Sequence, residues 1–420
     1  MAGQDVIVVG GRVAGAATAL LLARRGVRVL VLDRVGFPSD TISSHQVQVP
    51  GIARLHRWGL LERLEAAGTP PTRRVRFDAG HVVLEGRFPA VEGVDALYSP
   101  RRTVLDALLV DAARAAGAEV REHVRVDELV WSEGRVVGVR GSERGGGQVT
   151  ERARLVIGAD GKRSMVAEAV GARRYRERPV RSFASYTYWS GLAMAAGVGE
   201  LYQRPGRTVA VFPTNDDLVM VYVATPMAEF ATARAGLERH YLEALDGCGD
   251  LGERVRSATR AERLRTTPDQ PNTFRVPYGP GWALAGDAGV VMDSISAQGI
   301  SNALRDAELL SAAVASGLDG SRPLATALAE HRRRRDRAVR PMYDFTLDLA
   351  AYRPAGLVER HFLASVADRP AEIERLLGAF AGIHPVGGYF APLNAVRTLG
   401  LRGLGGLARA ALSGGQSGCR

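Results

Sequence analysis

Cysteine is nearly absent from this chain. Cys248 and Cys419 are the two thiols in 420 residues. They lack metal-ligand spacing, which argues against a disulfide framework and makes a reducing cytoplasm the default compartment. Lysine is scarcer still: of 55 basic residues only Lys162 is a lysine, and the rest are arginine. That skew reflects coding bias, and the net charge of +10 is spread along the chain. The densest cluster, His331-Arg332-Arg333-Arg334-Arg335-Asp336-Arg337, lies in a helical pattern with acids nearby and reads as a solvated helix face. Nucleic-acid and membrane partners are set aside on that reading. No apolar run approaches the roughly 20 residues that span a bilayer. The run Ala14–Ala23 lacks a basic leader and a cleavage signal, so it is not a secretory signal. No internal repeat is visible. With 46% hydrophobic residues the chain can bury a large core in two to three domains.

What is present begins at the fifth residue. Asp5-Val6-Ile7-Val8-Val9 runs into Gly10-Gly11-Arg12-Val13-Ala14-Gly15, then an apolar helix pattern from Ala16 to Arg25. A second strand, Val27–Leu32, ends in Asp33-Arg34. Strand, glycine turn, helix and acid in that order form a dinucleotide cradle. The turn lets backbone approach a pyrophosphate, the helix start offers free N–H groups, and the acid takes ribose hydroxyls. Arg12 stands where the Gly-x-Gly-x-x-Gly fingerprint has its middle glycine. Its side chain either obstructs the approach, points to solvent, or pairs with phosphate itself.

Two later motifs extend the pattern. Leu155-Val156-Ile157-Gly158-Ala159-Asp160-Gly161 is a strand ending in an acid, after which Ser164 can cap a helix. Trp282-Ala283-Leu284-Ala285-Gly286-Asp287-Ala288-Gly289 repeats the theme and continues through Gln298-Gly299-Ile300 into a helix at Ala303. An Asp at a strand's carboxyl end can hold a ribityl or ribose hydroxyl, and the helix start can stabilise negative charge on a reduced ring. Each motif alone fits an ordinary turn. Together they point to FAD.

The three motifs in this order resemble the single-component flavoprotein monooxygenases of the p-hydroxybenzoate hydroxylase type and their geranylgeranyl reductase relatives, over about residues 5–310. The resemblance implies non-covalent FAD, with NAD(P)H as a transient electron donor that has no domain of its own. It places Gly10, Gly11, Arg12, Val13, Ala14 and Gly15 at the pyrophosphate, and Asp33 with Arg34 at the adenosine ribose. Asp160 falls in the motif used for FAD and nicotinamide, Gly286 and Asp287 at the ribityl-pyrophosphate, and Gly299 with Ile300 at the pyrimidine end of the flavin. Arg102, opening a helix, matches an arginine that touches FAD. The hydroxylases usually read Gly-Asp-Ala-Ala-His followed by Pro-Pro; here the histidine place is Val290 and the second proline place Ser294.

The expected class is α/β: a Rossmann-like FAD-binding domain from 1–72, 99–175 and 276–340, and a mostly antiparallel sheet domain from 73–98 and 176–275. A helical C-terminal cap and loose tail follow over 341–420, where Pro341 is expected to interrupt a helix and Gly400–Gly418 to be loosely ordered. Helices are expected over Gly51–Ala67, Thr103–Ala116 and Leu237–Leu245. On the second sheet Tyr186, Tyr188, Trp189 and Phe212 are candidates to wall a substrate pocket. His45, after Ser43-Ser44, is a candidate for handling protons. No metal site is expected.

The function expected is that of a cytoplasmic monooxygenase, monomer or homodimer, oxygenating a small aromatic or natural-product substrate with NAD(P)H and O₂. The rivals are a flavin-dependent reductase of isoprenoid double bonds and a non-enzymatic FAD module. Halogenation is set aside: Lys162 lies inside the Asp160 motif, leaving no lysine for that chemistry, and no Trp-x-Trp-x-Ile-Pro segment is present.

Overall fold

A computed structural model describes residues 3–389 and Leu399. Gly400–Gly418 and Cys419 lie outside the described residues. The strands Gln4–Val9 and Val29–Leu32 carry continuous buried apolar runs, Val6–Val9 in the first and the whole of the second, as strands covered on both faces must. They pair in parallel, with Gln148–Gly158 on one side and Glu119–Arg121 on the other. Trp282–Leu284 joins Gln148–Gly158 in the same sense, which brings the carboxyl ends of all three motif strands to one edge. The helix Val13–Ala23 packs between Arg102–Ala115 and Gly299–Leu318.

The second sheet runs in the order Thr259–Arg260, Ser182–Ser190, Leu218–Pro226, Arg207–Pro213, Val198–Arg204, Arg74–Asp78, Val83–Arg87. Every pairing in it is antiparallel except Val198–Arg204 with Arg74–Asp78. Strand alternation sorts its aromatics. Tyr186, Tyr188, Phe212, Met220 and Tyr222 share one face. Trp189 lies on the other, against Tyr241 of the helix Leu237–Asp246. Trp189 is therefore not a pocket wall, because it stands one residue out of phase with Tyr188.

Three further expectations change. The cradle helix starts at Val13 rather than Ala16. The expected helix Gly51–Ala67 is two helices, Val49–Arg57 and Leu61–Ala66, parted where Gly59 turns left-handed at φ 72°. Pro341 does not interrupt its helix, which runs Leu324–Leu349. A proline forfeits one backbone hydrogen bond, and burial of Val339, Met342, Tyr343 and Thr346 on the same helix outweighs that loss. The arginine cluster on this helix is also not wholly solvated. Arg333, Arg334 and Arg337 face out, but His331 and Arg335, one turn apart, are each 2% exposed.

Candidate functional site

The cradle turn depends on two glycines for different reasons. Gly10 sits at φ +99°, and a Cβ there would lie 2.6 Å from the Ala159 carbonyl. A Cβ on Gly15 would lie 1.8 Å from the Gly10 carbonyl, so strand end and helix start are in direct backbone contact. The Gly11 N–H donates to Asp33 Oδ2 at 2.6 Å, and the Val35 N–H to Oδ1 at 2.9 Å. Asp33 thus folds its own turn while still facing the cavity, with lone pairs left for a hydroxyl.

Arg12 neither obstructs the turn nor runs out to solvent. Its backbone is extended, and its side chain leaves the helix start uncapped. Nη1 reaches Asp106 Oδ2 at 2.6 Å, and Nη2 reaches Ser39 Oγ at 3.0 Å and the Asp40 carbonyl at 3.1 Å. The side chain is pulled off the turn, and the first N–H groups of the helix stay free for an anion. Asp106 is fully buried and also accepts from Arg102 Nε at 3.1 Å and Nη2 at 2.9 Å.

Asp160 is half-buried; burial pushes its carboxyl up, against hydrogen bonds from Ser164 Oγ at 2.5 Å and the Val166 N–H at 3.2 Å. Asp287 is also pushed up by burial, countered by the charges of Lys162, Arg102 and Arg275. Gly286, at φ +60°, donates its N–H to Asp306 Oδ2 at 2.8 Å. Ala297, left-handed at φ 51°, turns the chain into the helix that Gly299 and Ile300 open.

These groups border one cavity of about 870 Å³, within the range of ligand sites. Its walls include Gly10, Arg12, Val13, Ala14, Asp33, Arg34, Arg102, Asp160, Gly286, Asp287, Gly299 and Ile300. Gly11 and Gly15 stand behind the turn and serve its packing. At the end against the second sheet the walls are Ser43, Ser44, Gln46, Tyr186, Tyr222 and Gln270, among others. Tyr186 OH accepts from the Ser43 N–H at 3.2 Å, and Tyr222 OH lies 2.7 Å from Ser294 Oγ. Phe212 and Tyr188 form the layer behind, packed on His45.

His45 itself is 1% exposed and does not border the cavity. Its Nε2 lies 2.9 Å from Tyr188 OH and its Nδ1 3.1 Å from the Ser99 carbonyl. Burial, with Arg101 nearby, pulls its pKa down to about 3. A ring so placed stays neutral and does not exchange protons with a ligand, so the geometry argues against the proton-handling role.

Sequence reading missed Asp106, Tyr222, Gln270 and Arg275. Asp106 was signalled by its spacing of four from Arg102 on a helix, and Tyr222 by its phase in the strand Leu218–Pro226. Nothing local marks Gln270 or Arg275. An uncapped helix start, a turn opened by Gly10 and Gly11, and a cavity bordered by Asp33, Asp160 and Asp287 fit an FAD-sized dinucleotide. The family model for the FAD binding domain matches residues 4–346. The chain belongs to that family. FAD is accordingly its cofactor.

Two curated relatives frame the comparison. The chain is 26% identical over 337 residues to a tryptophan 2-halogenase of Chondromyces crocatus, covering 78% of this chain and 64% of that protein. It is 30% identical over 346 residues to a rifampicin monooxygenase of Streptomyces venezuelae, covering 76% and 65%. The chain thus spans a little under two thirds of each relative's length. Among solved structures, the myxobacterial chondrochloren halogenase CndH superposes with a TM-score of 0.77 at 24% identity, over 92% of both chains. Halogenases thus stand beside monooxygenases among the relatives, which reopens the chemistry that the sequence reading set aside. No helix among the described residues is long and apolar enough to cross a membrane.

Proposed function

We propose that this protein is an FAD-dependent monooxygenase that takes electrons from NAD(P)H and places one atom of O₂ on a small organic substrate, aromatic or natural-product in character. The observation that carries this reading is the single cavity joining the cofactor turns to a chamber under the second sheet. FAD, when bound, supplies the redox chemistry and oxygen activation. The cradle Gly10–Ala14, with Asp33 and Arg102, would hold its adenosine and pyrophosphate. Asp160 and Asp287 would take the ribityl portion, and Gly299 with Ile300 the ring. The chamber residues Tyr186 and Tyr222 have their hydroxyls engaged by Ser43 and Ser294, so they offer fixed rings and hydrogen-bonding oxygens rather than mobile ones. The aromatic layer of Tyr188 and Phe212 behind them keeps water from that wall, as oxygen chemistry on a flavin requires.

A second reading, halogenation, is favoured by the resemblance to the tryptophan 2-halogenase. The only lysine, Lys162, is engaged by the Asp269 carbonyl and lies 3.3 Å from its carboxylate, at the cofactor turn rather than in the chamber. Turnover of candidate substrates under ¹⁸O₂ with NAD(P)H, with and without bromide, decides among the readings. Product heavier by one ¹⁸O atom supports oxygenation. A brominated product supports halogenation, and hydrogen gained without oxygen supports a reductase.

A further inference from the structure

The strands that carry the Asp160 and Asp287 turns are far apart in sequence but pair directly, down to the Ala285 N–H that donates to the Gly158 carbonyl at 2.9 Å. Beyond those strand ends, a buried side chain spans the two turns. Arg275, at the end of the strand Asn272–Arg275, is 7% exposed. Its Nη1 donates to the Ala288 carbonyl at 2.9 Å and toward the Asp287 carbonyl at 3.4 Å. Its Nη2 donates to the Lys162 carbonyl at 3.1 Å. Its own backbone N–H donates to the Gly289 carbonyl at 2.7 Å.

The anchor is itself anchored. The Arg275 carbonyl accepts from Arg335 Nη2 at 3.1 Å, and the same Nη2 reaches Tyr175 OH at 2.9 Å. Arg335 lies against Gly289, where an added Cβ would meet its Nη1 at 2.8 Å. The backbone from Asp287 to Gly289 is therefore held by Arg275, itself braced by Arg335, while Asp306 holds Gly286 on the preceding side.

We propose that Arg275 is a positioning residue for the cofactor: its planar fork holds the Asp160 and Asp287 turns at one spacing, and its charge balances the two acids they carry. A guanidinium can bond both turns at once because its donors diverge in a fixed plane. An ammonium at the same place is a point donor on a shorter reach and serves one turn or the other. None of the Arg275 side-chain hydrogen bonds reaches the adenosine–pyrophosphate cradle at Gly10–Gly15, which strand pairing holds against the Asp160 turn, so the main effect falls on the remainder of FAD.

This inference rests on the assignment of the cradle to the ADP half of FAD, and the test separates the two. The holoprotein is stripped of flavin, and ADP and FAD are titrated separately into the parent protein, Arg275→Lys and Arg275→Met. ADP affinity is expected to be the same in all three. FAD affinity should fall by about tenfold or more in both variants, the loss of one well-made charge-assisted hydrogen bond, and Lys should not rescue it. The bound flavin's visible spectrum in Arg275→Lys should shift toward that of free FAD. Unchanged FAD affinity alongside normal ADP binding overturns the proposal. Equal loss of ADP and FAD affinity also overturns it, since it shows general damage. Failure of the parent protein to bind ADP overturns the cradle assignment instead.

Discussion

Asp106 offers the sharpest test of how this chain accommodates arginine at a glycine position. Its carboxylate is wholly buried and serves two guanidiniums, Arg12 at 25% side-chain exposure and Arg102 at 10%. Asp106→Asn keeps the shape, removes the charge and leaves both cations facing one amide. Breaking a buried pair from one side costs ~3–5 kcal/mol. Arg12 retains Ser39, Asp40 and some water, which puts the expected loss near ~3 kcal/mol. Arg12→Gly, by contrast, leaves the Asp106–Arg102 pair whole and removes one partly exposed partner, a cost of about 1 kcal/mol. Urea unfolding of the flavin-free protein reads both stabilities, and fluorescence titration reads FAD affinity. Asp106→Asn should also weaken FAD, because Arg102 loses the group that aims it. Arg12→Gly should leave FAD affinity within about twofold, since its side chain points away from the helix start. The reasoning fails if Asp106→Asn is as stable as the parent, or if Arg12→Gly lowers FAD affinity tenfold without destabilising the fold. The latter result would mean that the guanidinium serves phosphate after all.

Other outcomes follow from single positions. Gly15→Val drives a branched side chain into the Gly10 carbonyl, so folded protein should emerge without FAD; normal flavin content in that variant contradicts the cradle assignment. His45 has a folded pKa near 3 against 6.5 unfolded, so it adds stability that is complete above about pH 6.5 and drains away as pH falls toward 3. The parent protein should therefore lose up to ~1.4 kcal/mol per pH unit in that window on account of this ring. His45→Gln should flatten that slope in urea unfolding at pH 7, 6 and 5, and identical slopes would mean that the ring is protonated in the fold.

The cofactor half was legible because its signals are local. A strand that ends in Gly10, or in Asp160, or in Asp287, declares itself within a few residues, and parallel pairing then carries those ends to one edge without further information. Gly15 was legible for the same reason, although its service is to let the helix touch the strand rather than to touch a ligand. The chamber half was less legible. Tyr186, Tyr188 and Trp189 look alike in sequence, and only strand phase puts the first two on one face and the third against Tyr241. His45 followed two serines on a loop of the right domain, yet its ring turns back beneath Tyr188, a choice made by the second sheet.

Arg12 and the arginine cluster show why some departures from pattern cannot be read locally. A glycine rule concerns the space beside a turn, and Arg12 satisfies it by leaving, which requires Asp106 a full 94 residues away. The helix pattern at His331–Arg337 likewise gives a periodicity but not which stripe faces in. His331 is claimed by Asp306 at 2.7 Å, and Arg335 by Tyr175 and the Arg275 carbonyl. All three come from other elements, and two of them, Asp306 and Arg275, bond the backbone of the turn that carries Asp287. A buried charge persists only where partners repay its desolvation. Arg335 has Asp336 as its ionic partner, and its bond to the Arg275 carbonyl, with the His331–Asp306 pair, ties the inward stripe of this helix to the groups that hold the Asp287 turn.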